Sequence, residues 1–335
     1  MRVGSVGYAT DQGLGILLKE FYDHGVVTDV IQVLHKSFVN HSGWYNDDAP
    51  VLGGGTTTED VRRWLKEIDV MFFFETPFAE WILDLCDEVG VKKMIMPMYE
   101  CTPRKWMNRM DYVINPSLLD QNYYPEGVFV PVPVHSGTEW RERTTAEVFV
   151  HNAGNGGLNG RNGTEELLDA IPHVTSPAKF IIRSQRQISH PSIDNPRVKY
   201  HYGTVDRSEL WAEGDVFVFP EKFNGLSLPA QEAYASGMAI CCNDRFPLNT
   251  WLEPKYMIPV SSVYQELLLG NNITVSESSP EDIARTIDGI YGADITETSN
   301  FGRRFGRELA WPEMKQEYMH HILMCKMGRK ASDSK

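Results

Sequence analysis

The stretch from Asp215 to Gly237, D-V-F-V-F-P-E-K-F-N-G-L-S-L-P-A-Q-E-A-Y-A-S-G, constrains this chain more than any other. It reads as a buried strand, a short polar loop and a helix closed by glycine. Asp215 to Phe219 is the kind of apolar run expected of a strand covered on both faces. Pro229 suits the first turn of a helix, Ser227 is a plausible N-cap, and Gly237 stands where a C-terminal glycine cap belongs. No acid precedes Glu232 in the helix. The free N–H groups of its first turn, with those of Asn224-Gly225-Leu226-Ser227, are therefore available to an anion. Lys222 stands just upstream. A phosphate at this end, with a carboxylate one turn further in, suits a nucleoside diphosphate with its ribose hydroxyls nearby.

Strand-like and helical runs alternate throughout, which predicts parallel sheets with helices on both faces. In the first half the strands fall near Arg2 to Val6, Val27 to Val33, Val70 to Phe74, Lys93 to Pro97 and Tyr112 to Ile114. Helices are expected at Gly15 to Tyr22, Thr58 to Ile68 and Ala79 to Val89. A proline-rich extended run, 128–134, leads into a polar linker. The second half restarts the pattern, with strands near Glu147 to His151, Lys179 to Ile182, Val198 to Tyr202, Val216 to Phe219 and Met238 to Cys242. Its helices are expected at Thr164 to Ile171, Arg207 to Glu213, Pro229 to Ser236 and Pro280 to Tyr291. Trp311 to Lys326 reads as a final amphipathic helix, and the tail from Lys330 as disordered. The expected fold class is α/β, with two Rossmann-like doubly wound domains facing across a cleft.

A chain of 335 residues accommodates two domains with their own cores. No run is long and apolar enough to span a bilayer, and no signal peptide is evident. The five cysteines are scattered without a C-x-x-C, as expected of reduced thiols in the cytoplasm. A net charge of −13 argues against broad nucleic-acid binding. It leaves room for no more than peripheral membrane contact.

The segment N-G-L-S-L-P-A-Q-E-A-Y-A-S-G-M-A resembles the donor-site signature of retaining glycosyltransferases of the GT-B fold, especially glycosyltransferase family 4. That signature runs roughly E-G-F-G-L-x-x-x-E-A-x-A-x-G-x-P. Its second glutamate matches Glu232 and its first matches Asn224, a departure near the donor sugar. The resemblance implies a metal-independent retaining transferase using a nucleotide-diphosphate sugar, UDP- or GDP-linked, with no further cofactor. It implies a first domain (1–134) for the acceptor, a second (145–305) for the donor, and a last helix (306–335) returning onto the first. Glu232 would bind the ribose, and Gly203-Thr204-Val205 would pack on the base. The other reading is a GT-B protein that binds a nucleotide sugar without transferring it, as a scaffold subunit or an epimerase.

Lys222, Arg161 and Arg183 are the candidates for the donor diphosphate, with Asn224, Gly225, Leu226 and Ser227 as the anion-holding loop. Arg161 lies in a glycine-rich run, 154–163, where the family carries lysine at the place of Asn162. Arg183 ends a predicted strand, where a surface ion pair is an equal reading. Gly7 to Gly15 is not a dinucleotide fingerprint, although in the family a glycine turn here, including Gly13, reaches the donor phosphate. Glu75 and Glu100 follow apolar strands and are candidates to orient an acceptor hydroxyl or act as base, with capping or ion pairing as the alternative. His35, His41, His135 and His151 show no metal-ligand spacing, so no metal site is expected. His320 and His321 are expected at the surface.

Overall fold

The computed structural model describes residues 1–46 and 50–330; the tail expected to be disordered lies, from 331 on, outside the described residues. The chain divides into two compact units. The first holds Met1–Pro133, Leu268–Asn271 and the C-terminal helix, and the second holds Val134–Leu267 and Asn272–Ala310.

The first unit runs β1 (Val3–Tyr8), α1 (Gly13–Asp23), β2 (Asp29–Val33), β3 (Val51–Leu52), α2 (Thr58–Leu65), β4 (Val70–Phe74), α3 (Glu80–Val89), β5 (Lys92–Met96), α4 (Arg104–Met107), β6 (Tyr112–Asn115), α5 (Leu118–Tyr123) and β7 (Val128–Phe129). Its seven strands lie in the order β3-β2-β1-β4-β5-β6-β7, and every pair is parallel. The order reverses beside β1, which is the doubly wound arrangement. β4, Val-Met-Phe-Phe-Phe, is buried at every position. Local chemistry fixes the helix starts. Thr57 and Asp60 form a reciprocal capping box at α2, and Ser117 caps α5 by accepting from Asp120 N–H.

The second unit runs β8 (Val148–Gly154), α6 (Thr164–Ala170), β9 (Lys179–Ser184), β10 (Val198–Tyr202), β11 (Val216–Phe219), α7 (Leu228–Ala235), β12 (Ala239–Asn243), β13 (Met257–Ile258), a hairpin of β14 (Ser262–Leu268) and β15 (Asn271–Glu277), α8 (Pro280–Ile290) and α9 (Thr296–Glu308). Six strands form a parallel sheet in the order β10-β9-β8-β11-β12-β13. One face buries Phe149, Leu167, Val218 and Ile283, and the other buries Trp211, Phe217, Ala233 and Leu252.

The last helix, α10 (Trp311–Lys326), belongs to the first unit. Phe21 meets Trp311 and Tyr318 edge-on at 5.0 and 4.8 Å, and Trp311 Nε1 donates to Glu20 Oε2 at 2.8 Å. His321 is buried, contrary to expectation, whereas His320 is exposed. Positions 318, 321, 322 and 325 form the inward stripe of this helix, and the His321 ring sits on the Tyr112 hydroxyl at 2.8 Å. Burial lowers its pKa despite the Glu317 carboxylate beside it.

The residues expected to form a helix at Arg207 to Glu213 make only a single 3-10 turn, Arg207–Glu209. The hairpin, β3, β13, α4, α5 and α9 are absent from the sequence-based expectation. The hairpin turn places Leu269 and Gly270 both at positive φ, the geometry of a type I′ turn. Asn271, at its tip, donates from Nδ2 to the carbonyls of Tyr99 and Thr102 at 2.7 and 3.1 Å. Among the described residues no helix is long and apolar enough to cross a membrane.

Candidate functional site

The carboxyl edge of a parallel sheet is where its loops gather. In the second unit one of these loops joins β11 to α7. Glu221 and Arg245, only 1 % and 6 % exposed, form an ion pair beneath it, Nη2 to Oε2 at 2.5 Å. Arg245 also donates from Nε to the Glu221 carbonyl and from Nη1 to the Asn224 carbonyl, at 2.8 and 2.9 Å. The other Glu221 oxygen accepts from Asn224 Nδ2 at 2.7 Å, and Asn224 Oδ1 accepts the Leu226 N–H at 3.0 Å. The loop's side chains are thus spent on holding its own backbone. No hydrogen bond among the described residues uses the N–H of Gly225 or Ser227. α7 follows with Pro229 in its first turn and no acid there, so its dipole also favours an anion at this end.

Ser227 departs from the expected cap. It stands at the N-cap position of α7 with φ of 52° and makes no side-chain cap; its hydroxyl donates instead to Glu221. The turn needs left-handed backbone where the signature has its second glycine. A serine there carries a strain of roughly 1–2 kcal/mol, which the buried hydroxyl bond offsets. Gly237 closes α7 at φ of 94°, and a Cβ there would lie 2.4 Å from the Arg141 carbonyl.

Glu232 lies one turn into α7 and is 6 % exposed. Arg207 Nη2 reaches its Oε1 at 2.5 Å, and Trp211 Nε1 donates to Oε2 at 3.1 Å. Gly203-Thr204-Val205 follows β10 directly, with Gly203 at φ of 115°.

The glycine-rich run after β8 borders a cavity of about 540 Å³. Asn155, Gly157, Gly160, Ser184, Arg186 and Lys222 are among its lining residues, whereas Glu232 and Gly203-Thr204-Val205 are not. The run touches the loop after β11 closely: a Cβ on Gly163 would sit 2.1 Å from the Pro220 carbonyl, and Lys222 N–H donates to the Arg161 carbonyl at 2.7 Å. Asn162, at the family's lysine position, uses its Nδ2 to bond the Ala153 carbonyl. His151, beneath, is fully buried. Its Nδ1 must donate to the Val218 carbonyl, leaving Nε2 to accept from the Thr164 hydroxyl, and burial lowers its pKa to about 4.

The three candidate cations are placed differently. Lys222 Nζ lies 2.5 Å from Glu166 and 3.0 Å from Glu277. Burial works against its charge, but these two carboxylates outweigh it and raise its pKa. Arg183 falls inside β9, which runs two residues longer than the sequence implies. Its guanidinium is buried against Asn152, the Leu210 carbonyl and Glu213, and burial lowers its pKa against the pull of Glu213. Arg161 borders the cavity's loop. Arg186, two residues past the strand, is exposed on the cavity wall, and among the described residues its guanidinium has no partner. The sequence pattern ends the strand at Ile182, two residues short, and so points to Arg183 instead.

In the first unit Glu75 follows β4 with φ of 63°, its carbonyl accepting from the Thr102 hydroxyl at 2.7 Å. Its carboxylate lies near Tyr8, whose pKa is raised by burial and then by Glu75. Glu100 is 1 % exposed and faces Asp120, also buried. Gly13 opens α1 with nothing near its absent side chain; the crowded glycine is Gly15, where a Cβ would lie 2.3 Å from the Thr10 carbonyl. Among the described residues no group of three or more acidic, cysteine or histidine side chains is arranged to hold a metal. All five cysteines are free thiols.

No family model and no curated protein matches this chain. Solved structures do. The chain is similar to HepE of Anabaena, solved with UDP and glucose, at 11 % identity and a TM-score of 0.67, covering 96 % of this chain and 100 % of that one. It is similar to a glycosyltransferase of Rickettsia africae at 10 % identity and a TM-score of 0.65, over 97 % and 98 %. It is also similar to sucrose-phosphate synthase of Thermosynechococcus elongatus at 12 % identity and a TM-score of 0.62, over 96 % and 98 %. At such identities the shared property is the fold, and the fold is GT-B.

Proposed function

We propose that this protein transfers a sugar from a nucleoside-diphosphate sugar to an acceptor hydroxyl, with retention at the anomeric carbon and without a metal. The observation that carries the reading is the loop before α7. It offers two N–H groups and a helix N-terminus to an anion, is held from below by a buried ion pair, and is followed one turn later by Glu232. The structure of HepE with UDP-glucose supports a uridine donor. Retention rests on the resemblance of 224–239 to the family signature.

In this reading the donor diphosphate lies on Gly225, Leu226 and Ser227, with Asn224 fixing the loop. The ribose meets Glu232 and the base meets Gly203-Thr204-Val205. The bond from the anomeric carbon to the diphosphate oxygen breaks as the acceptor oxygen bonds to that carbon. The acceptor proton passes to the departing diphosphate. Charge grows on that group, so N–H donors fixed beforehand lower the barrier. Arg186, on the cavity wall, would add positive charge directly; Lys222 would first have to leave a carboxylate, and Arg161 and Arg183 their own partners. Glu75 and Glu100 would orient the acceptor within the first unit. The domains are read as an acceptor domain (1–134), a donor domain (145–305) and a returning helix (306–335). Free thiols fit a reducing compartment such as the cytoplasm.

The non-transferring reading is favoured by one observation: Asn224, at the signature's first glutamate, is committed to Glu221 and the Leu226 N–H.

Thermal shift with UDP, GDP and their glucose conjugates tests binding. A donor at about 100 times its Kd should stabilise the protein by about 2.7 kcal/mol. No shift with any of them would remove the proposal. Slow release of glucose from the stabilising conjugate, undiminished by chelator, separates a transferase from a binder.

A further inference from the structure

We infer that Arg207 and Trp211 are positioning residues that aim the Glu232 carboxylate at the two adjacent hydroxyls of a ribose, so that the site selects ribonucleotides over 2′-deoxynucleotides. The inference rests on the reading of Glu232 as the ribose-binding group.

A carboxylate offers about four lone-pair directions. Here one on Oε1 is taken by Arg207 Nη2 and one on Oε2 by Trp211 Nε1. The two donors engage different oxygens, which fixes the plane of the group and leaves one direction on each oxygen without a partner among the described residues. Two acceptor directions side by side fit a vicinal diol and exceed what a single hydroxyl can use. Both partners are themselves held. The Trp211 ring packs edge-on against Phe217 at 5.1 Å. Arg207 lies in the 3-10 turn that follows Gly203-Thr204-Val205, where Asp206 caps the turn by accepting the Ser208 N–H at 2.9 Å. The Arg207 side chain keeps about 31 % of its surface exposed while Glu232 is buried. The arginine therefore neutralises a carboxylate that burial would otherwise penalise, yet it stays at the outer edge where a ligand can arrive. Freed from Arg207, the carboxylate would lose both its orientation and its countercharge.

Calorimetry with UDP and 2′-deoxy-UDP, and in parallel with GDP and 2′-deoxy-GDP, tests this on wild type, Arg207→Ala, Arg207→Lys, Trp211→Phe and Glu232→Gln. The wild type should prefer the ribonucleotide by about tenfold or more, the worth of one hydrogen bond to a charged group. Arg207→Ala and Trp211→Phe should each shrink that preference, and Arg207→Lys should restore much of it. A purely structural role for Arg207 weakens both nucleotides alike and leaves the ratio intact, which would overturn the inference. So would a wild type that does not discriminate. If Glu232→Gln abolishes the preference while Arg207→Ala and Trp211→Phe keep it, only the positioning role falls. If Glu232→Gln keeps it, or no nucleotide binds the wild type, the ribose reading falls as well. Should Arg207→Ala fail to fold, Trp211→Phe and Arg207→Lys carry the test.

Discussion

The two units bury charge at the carboxyl edges of their sheets in opposite ways. In the second unit each buried carboxylate has a cation: Glu221 has Arg245, and Glu232 has Arg207. In the first unit two buried carboxyls, Glu100 and Asp120, face each other. Burial, and after it the Glu100 charge, pushes the Asp120 pKa up to about 8, although bonds from the Ser117 hydroxyl and the Tyr99 N–H pull the other way. A carboxyl pair holds itself together only while it keeps a proton. The buried carboxyls of the first unit are therefore a source of pH dependence.

The largest effect should come from breaking the ion pair. Arg245→Ala leaves Glu221 buried without its cation and frees the carbonyls of Glu221 and Asn224. The expected loss is about 3–5 kcal/mol in urea unfolding. Glu221→Gln combined with Arg245→Met, which removes both charges, should lose less than the single change. If the double variant is the less stable of the two, the pair stabilises rather than merely tolerates burial, and the contrast with the first unit sharpens.

The second effect is on pH dependence. Asp120 has its folded pKa raised above the unfolded value of about 4, so the folded state holds a proton that the unfolded state releases. Its stabilising contribution is complete below about pH 4 and is lost as pH rises towards 8. Asp120→Asn mimics the protonated form and can still pair with Tyr99 N–H and Ser117. Melting temperatures from pH 5 to 8 should fall for the wild type and fall less for the variant. Parallel curves would mean that Asp120 does not carry the proton.

The parallel α/β layout was legible because buried strands such as Val70 to Phe74 are short unbroken apolar runs, and because Pro229 and Gly237 punctuate α7. The network under the loop was not legible. Nothing in Asn243-Asp244-Arg245 marks an arginine as buried; it is buried because the carbonyls of Glu221 and Asn224 converge on it in space. The residue type of Ser227 predicts a cap, but a left-handed turn redirects its hydroxyl. The hairpin is not legible because Val263, Leu267 and Leu269 are exposed, so its apolar residues do not mark a buried face. A strand ending two residues early puts Arg183 rather than Arg186 at the sheet edge, because an apolar run does not show how far pairing continues into polar residues.

The smallest effect should be at Lys222. Its backbone is fixed at both ends, the N–H to the Arg161 carbonyl and the carbonyl from the Ser276 N–H at 2.9 Å. Its ammonium lies between Glu166 and Glu277, so the trio carries a net negative charge and has no surplus to offer a diphosphate. Lys222→Ala should then cost about 1–2 kcal/mol of stability, more than a fully exposed pair and less than the buried Arg245 pair, because the Lys222 side chain is only 15 % exposed. It should lower kcat by less than about tenfold, a barrier change under about 1.4 kcal/mol. Arg161→Ala and Arg186→Ala, measured beside it, should each lower kcat more than they raise KM if they meet charge that grows on the leaving group. A hundredfold fall in kcat for Lys222→Ala would instead mean that the lysine exchanges its carboxylates for the diphosphate during turnover. Glu166→Gln would then be expected to raise activity, because it weakens the hold on the resting lysine.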